Sequence, residues 1–182
     1  ENTRLEDKES ILFDMDGVLF DTERVYLSSW KKVFEKYGYE LKDETYISVM
    51  GTGRKNVIKT FLSIYGDELP IDDMYKEKDK ELFRVVDSGM VPMKDGARDV
   101  LTALKERNFK IALATSARRE RVEKHLKQER LEEIFDFIVC WDDIVNGKPN
   151  PEIFLKAADG LKVKPDKCIV IEDSEAGINA AY

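Results

Sequence analysis

Asp14 and Asp16 stand two residues apart, directly after the apolar run Ile11-Leu12-Phe13 and directly before Gly17. The run reads as a buried strand, so both carboxylates sit at a strand's carboxyl end, where Gly17 lets the chain turn away sharply. In an open α/β sheet that edge is where ligands bind. Two acids so close repel each other unless a cation or a shared proton offsets them. The arrangement invites a divalent metal and, with it, a phosphate. An EF-hand calcium loop counted from Asp14 needs an oxygen ligand at its fifth position and Glu at its twelfth. Val18 and Val25 occupy those positions, which excludes that reading. A solvated acidic turn and a D-x-D that binds the metal of a nucleotide sugar both stay open on these two residues alone.

Three more signals come in order, each past an apolar run that reads as a strand. After Lys110–Ala114 comes Thr115-Ser116, a hydroxyl with main-chain N–H groups ahead of a helix, suited to a phosphoryl oxygen. After Phe137–Cys140 comes Gly147-Lys148-Pro149-Asn150-Pro151. A lysine between Gly and Pro is held in place, and its compact ammonium suits phosphate or bridges carboxylates. After Cys168–Ile171 comes Glu172-Asp173, with Gly177 on the following turn, offering two more oxygen ligands. Each has a plain counterpart: a helix cap for Thr115 and for the Glu-Asp pair, a charged loop residue for Lys148. Four such signals at successive strand ends converge on one edge of one sheet.

The elements that must position them can be read from periodicity. From Thr22 to Val86 the pattern is helical, with Trp30, Val33, Phe34 and Tyr37, then Val57, Ile58, Phe61, Leu62 and Tyr65, recurring at three- and four-residue spacing. Gly89-Met90-Val91-Pro92 and Asp95-Gly96 break it. From Ala97 helix and strand alternate: a helix with Val100, Leu101 and Leu104 ending near Asn108, strand 110–114, a charged helix from about Arg119 to Gln128, strand 137–140, a helix over 151–161, and strand 168–171. Such alternation argues for a parallel sheet with right-handed crossovers. The expectation is an α/β, Rossmann-like three-layer core of residues 1–21 and 92–182, interrupted by an all-helical domain at 22–91.

The 182 residues suffice for one substantial domain, or one domain with an insert. With 42% apolar residues a real core is expected, and 37% charged residues imply long solvated helix faces. The net charge of −7 speaks against a nucleic-acid partner, and anionic substrates would need a local positive site. Cys140 and Cys168 fit neither a disulfide framework nor a metal spacing, so both are expected as buried free thiols in a reducing cytosol. No apolar run reaches membrane-spanning length and no signal peptide is visible, which gives a cytoplasmic expectation. The first residue is Glu1 rather than Met, so a trimmed start is expected. His125, the only histidine, falls in a charged helical stretch and is expected on the solvated surface, leaving no His-based triad.

Together Asp14-Met15-Asp16-Gly17-Val18, Thr115, Lys148-Pro149 and Glu172-Asp173 resemble the motif set of the haloacid dehalogenase superfamily of phosphotransferases. The likeness is specifically to the branch containing β-phosphoglucomutase and sugar-phosphate phosphatases, and it runs from about Ile11 to the end. The resemblance implies that Asp14 attacks phosphorus and becomes an aspartyl-phosphate, and that Asp16 protonates the leaving oxygen and later activates water. Thr115 and the Ser116 backbone would bind the phosphoryl group, and Lys148 would hold Asp14 and phosphate together. Mg²⁺ would be bound by Asp14, the Asp16 carbonyl and Asp173, with Glu172 ligating it or orienting a metal water. The helical domain would be a lid.

Within that lid, Gly51-Thr52-Gly53-Arg54-Lys55 matches the place of the family's substrate-specificity loop, so Gly51 and Arg54 are assigned to substrate binding; a turn before a helix is the plain alternative. Glu23, closing Asp21-Thr22-Glu23, is assigned likewise, because that ending resembles the broad sugar-phosphate phosphatases. The family's phosphoglucomutases carry a lid-side His after the D-x-D motif, and this chain has Glu23-Arg24-Val25-Tyr26 there. Hydrolysis of small phosphomonoesters, sugar phosphates foremost, is therefore the implied activity. A β-phosphoglucomutase-type mutase and a catalytically silent protein of this fold are the alternatives. A phosphate-accepting signalling receiver also clusters acids, a Thr/Ser and a Lys, but its acceptor Asp sits on a middle strand and it lacks a large helical insert. Family members usually continue with more sheet and helix beyond the position of Tyr182, so a core cut short at its C-terminus is expected. The expected partner is a small phosphorylated metabolite, with no nucleic acid or membrane, bound by a monomer.

Overall fold

The computed structural model describes residues 7–50 and 54–182. They fall into two compact units, one formed by the chain up to Thr22 together with Asp87–Tyr182, the other by Glu23–Val86.

In the first unit four short aliphatic runs form strands: β1 (Ser10–Phe13), β2 (Lys110–Ala114), β3 (Phe137–Val139) and β4 (Cys168–Ile171). They make one parallel sheet in the order β3-β2-β1-β4. β1 lies inside the sheet and is buried along its whole length, which explains a run of apolar residues without polar alternation. Helices α5 (Ala97–Glu106), α6 (Arg119–Glu129), α7 (Glu152–Leu161) and α8 (Glu175–Ala181) connect or follow the strands. Leu12, Ala112, Ala114 and Val139 from the sheet share a core with Ile153, Phe154, Ala157 and Leu161 of α7. Small alanines on both sides allow the helix to approach the sheet closely. The left-handed residues Asn108, Arg130 and Lys162 follow α5, α6 and α7, the conformation that stops a helix and redirects the chain. Cys140 falls just outside β3 and begins a 3₁₀ turn, Trp141–Asp143.

Two expectations fail here. His125 is fully buried, not solvated. Val122, His125 and Leu126 form the inward face of α6, a face that the surrounding charges disguise in the sequence. The His125 ring meets Phe20 edge-on at 5.0 Å, and burial holds its pKa below the ordinary value. Cys168 is only half-buried, and it accepts a hydrogen bond from Ser10 Oγ at 3.0 Å. Cys140 is buried, and burial raises its thiol pKa to about 11.

The second unit is helical. α1 (Thr22–Lys36), which begins at the boundary, is followed by α2 (Asp43–Val49), α3 (Arg54–Tyr65) and α4 (Ile71–Val86). Its core gathers Trp30, Phe34, Phe61, Met74 and Tyr75. Rings pack edge to face, Phe61 lying 5.3 Å from Trp30 and 5.1 Å from Phe34 between centroids, the arrangement that aromatic quadrupoles favour. Outside, Lys32 pairs with Glu81 and Lys36 with Glu77, each at 2.5 Å, exposed contacts that add little to stability.

Phe61 is fully buried at the centre of that ring cluster, so Phe61→Ala should cost about 3–5 kcal/mol. Trp30 fluorescence in a Trp141→Phe background reports on this unit alone. A loss under about 1 kcal/mol in urea titration would show that the cluster closes over the cavity.

Candidate active site

The carboxyl ends of β1, β2 and β4 lie side by side, and the residues just past each strand land on the same edge. Asp14 continues the ladder past β1, its N–H donating to the Ile171 carbonyl at 3.0 Å. The chain then folds into a tight loop, Gly17 N–H to the Phe20 carbonyl (2.9 Å) and Leu19 N–H to the Met15 carbonyl (2.9 Å). The loop is anchored by Lys94 N–H to the Leu19 carbonyl and Asp21 N–H to the Pro92 carbonyl, at 2.9 and 2.8 Å. Gly17 sits at φ +76°, and a Cβ there would fall 1.8 Å from Asp173 Oδ2. Both the turn and the seat of the Asp173 carboxylate therefore require glycine.

Lys148 is the cation of the site. Its side chain is 7% exposed, and Nζ donates to Asp14 Oδ1 at 2.7 Å and to Glu172 Oε1 at 2.6 Å. The other Glu172 oxygen accepts Ser174 N–H (2.6 Å) and Ser174 Oγ (2.8 Å), and Ser174 in turn caps α8 by accepting the Gly177 N–H at 3.0 Å. Gly177 is packed beneath Glu172, where a Cβ would meet the carboxyl carbon at 1.9 Å. Oxygens of Asp14, Glu172 and Asp173 lie within 4.8 Å of one another. An all-oxygen set of this kind suits a hard divalent cation.

Charge and burial pull these carboxylates in different directions. Burial raises Asp14 from 3.8 to about 6, against the lowering effect of Lys148. Burial also opposes ionisation of Glu172, but hydrogen bonds from Lys148 and Ser174 prevail and lower it. Loss of solvent, and then the charge of Glu172, raise Asp173.

Thr115 is buried beyond β2 and its Oγ1 accepts the Ala117 N–H at 3.1 Å. The hydroxyl thereby serves the turn before α6, while its own proton stays available to an incoming oxygen. Ser116 beside it is exposed. The Asp16 carboxylate stands outside the Asp14–Glu172–Asp173 group. Its Oδ1 accepts the Thr22 hydroxyl at 3.0 Å and pairs with Arg121 Nη2.

Glu23 and Arg54 belong to the helical unit and line one cleft there, of about 380 Å³, with Tyr26, Tyr46, Tyr75 and Lys78. Glu23 accepts the Tyr46 hydroxyl at 2.9 Å, and burial and that charge raise the Tyr46 pKa. Arg54 lies over the Tyr75 ring at 4.4 Å and 3.7 Å from Asp72. Gly51 lies outside the described residues. Sequence reasoning missed Arg121 and Thr22. In the run Arg118-Arg119-Glu120-Arg121 nothing marks the last arginine apart from its neighbours.

The chain is similar to known proteins along most of its length. The profile of the haloacid dehalogenase-like hydrolase family matches residues 11–182. A Thermotoga maritima protein named phosphorylated carbohydrates phosphatase is 34% identical over 173 residues, 95% of this chain and 80% of its own length. The β-phosphoglucomutase of Bacillus subtilis is 32% identical over 178 residues, 94% of this chain and 77% of its own. The crystal structure of CbbY from Rhodobacter sphaeroides in complex with phosphate matches with a TM-score of 0.60 at 30% identity, over 96% of this chain and 81% of that one. With its parallel sheet and a match that runs from β1 to the last residue, the chain belongs to the haloacid dehalogenase-like hydrolase family.

Proposed function

We propose that this hydrolase is a Mg²⁺-dependent phosphatase that cleaves small phosphomonoesters, sugar phosphates foremost, through an aspartyl-phosphate on Asp14. The observation that carries the reading is the Lys148 ammonium held between Asp14 and Glu172 with Asp173 alongside. One fixed cation beside a buried carboxylate and a further acidic ligand set is what in-line transfer of a charged phosphoryl group needs.

In the first half-reaction an Asp14 oxygen bonds to phosphorus while the ester P–O bond breaks, and Asp16 gives its proton to the departing oxygen. In the second, Asp16 takes a proton from water, whose oxygen bonds to phosphorus, and the acyl phosphate breaks to release inorganic phosphate and free Asp14. A carboxylate nucleophile thus divides one hard displacement into two easier ones. Lys148, the Thr115 hydroxyl and the Ser116 N–H hold phosphoryl oxygens. A Mg²⁺ held by Asp14, Asp173 and the Asp16 main-chain oxygen, with Glu172 beside it, would draw negative charge from the phosphoryl group.

The name of the Thermotoga relative supports phosphorylated carbohydrates as the substrate class. On this reading residues 22–91 are the cap domain, with Glu23, Gly51 and Arg54 contributing to substrate recognition. No described helix is long and apolar enough to cross a membrane, and the two free thiols fit a cytoplasmic enzyme. A monomer is the simplest working state.

The direct test is turnover of an aryl phosphate with Mg²⁺. Asp14→Asn should leave at most about 1% of the activity, since the amide keeps the shape but is a poor nucleophile. A chelator should stop the wild type and Mg²⁺ should restore it; full activity in excess chelator contradicts the metal assignment. Asp14 also makes a pH prediction. Its folded pKa of about 6 exceeds the ordinary 3.8, so the folded chain binds this proton more tightly than the unfolded chain. Ionising it costs stability progressively from about pH 4 to pH 6 and fully above. In chelator, Asp14→Asn should therefore be more stable than wild type at about pH 8, by up to about 3 kcal/mol. That gap should close toward pH 4 in urea titrations, and an equal gap at both pH values would refute the burial argument. Hydrolase and mutase separate on β-glucose 1-phosphate with a trace of the 1,6-bisphosphate. Free phosphate should appear faster than glucose 6-phosphate, and rapid isomerisation with little free phosphate would reverse the assignment.

A further inference from the structure

Arg121 takes no part in either half-reaction, yet it is built into the site. It lies in the first turn of α6, its side chain 19% exposed, paired with the 33% exposed Asp16. Its Nη2 and the Thr22 hydroxyl both donate to the same oxygen, Asp16 Oδ1. Two donors from separate elements thus fix one side of the carboxylate, which leaves Oδ2 as the oxygen for proton transfer.

The start of α6, which carries the arginine, is itself anchored. At the start of α6 the Arg119 N–H donates to Asp142 Oδ2 at 2.8 Å, and the Arg119 guanidinium pairs with Asp143 at 2.5 Å. Asp143 also accepts the Cys140 N–H at 2.7 Å, and the Trp141 N–H donates to the Ala117 carbonyl at 3.0 Å. One turn further on, the buried His125 places Nδ1 2.8 Å from the Arg121 carbonyl and packs against Phe20, a member of the same loop as Asp16. Arg121 Nε is buried without a hydrogen-bond partner among the described residues. Native folds accept few such atoms, and here the unmet donor accompanies a guanidinium aimed at one carboxylate instead of solvent.

We propose that Arg121 is a positioning residue: with Thr22 it fixes the rotamer of Asp16, so that Oδ2 faces the leaving-group oxygen in the first half-reaction and water in the second. The proposal rests on the reading of Asp16 as the acid–base group. The proton moves between Asp16 Oδ2 and the substrate or water oxygen, and Arg121 exchanges none. A planar guanidinium with directed N–H bonds suits this task better than a freely rotating ammonium, and misplacing a reacting group by about 1 Å is enough to lose about a hundredfold in rate.

The test compares kcat/KM, which reports the steps up to first product release, for an aryl and an alkyl phosphate in the full chain with Mg²⁺. Arg121→Met should lower the alkyl value about a hundredfold and leave the aryl value within about threefold, because a good leaving group needs little acid help. Aryl turnover also verifies that the variant is folded. Arg121→Lys should recover part of the alkyl loss. In an Asp16→Asn background, Arg121→Met should change the alkyl value by less than about threefold, since the two act as one unit. Equal losses on both substrates, or losses that simply multiply with Asp16→Asn, overturn the positioning role. If Asp16→Asn discriminates between the substrates and Arg121→Met does not, the positioning role alone falls. If Asp16→Asn itself shows no leaving-group dependence, the acid–base reading falls, and the positioning role with it.

Discussion

The site is organised by a single ammonium group. Asp14 and Glu172 each touch Lys148 Nζ, and without it two poorly solvated carboxylates would face a third, Asp173, across a few ångströms. The attraction does not fully offset what burial costs, because Asp14 still titrates near 6. A carboxylate left in that condition is more basic than one in water and gains more from a second cation. The same residue that makes the cluster tolerable in the fold thus also keeps Asp14 and Glu172 together at the strand ends.

Everything around the cluster serves to bring its parts to one place. Parallel strands put their carboxyl ends on one edge, which allows residues far apart in the chain to meet. Two glycines then remove the side chains that would interfere: Gly17 beneath Asp173 and Gly177 beneath Glu172. Ser174 fixes the unused oxygen of Glu172 while capping α8. The hydrogen bonds that end the elements are the ones that aim the acids.

Most of this could be read from the sequence, because the signals were local. Short aliphatic runs bounded by turn residues located β1, β2 and β4, and the residues after them carried recognisable chemistry. The failures share a cause as well. His125 reads as a surface residue because its helix is crowded with charge, but an inward face needs only every third or fourth position, and Val122, His125 and Leu126 supply it. Arg121 is hidden for the opposite reason: its neighbours in the sequence are arginines and a glutamate of the same charged character, and only the three-dimensional placement of α6 beside the Asp16 loop distinguishes it. An apolar run also does not reveal how far each of its side chains is covered, and Cys168 is only half-buried. Glu23 and Arg54 show the limit from another side. They share a cleft within the helical unit, and which ligand they meet is not encoded in their spacing.

Sheet order has a consequence for how the chain is made. β1 emerges first, but its partners are distant: Ser10 pairs with Lys110 on one side and Cys168 on the other. The helical unit is contiguous, Glu23–Val86, and can gather its core while β1 still has no neighbour. Closing the long intervening loop must precede any pairing of β1. Through that interval an apolar strand with open ladder groups is a template for mispairing. Its flanks are Glu9 and Asp14, and charges so placed discourage association between nascent chains. The aspartate that becomes the centre of the site therefore guards the growing polypeptide before there is any site to serve.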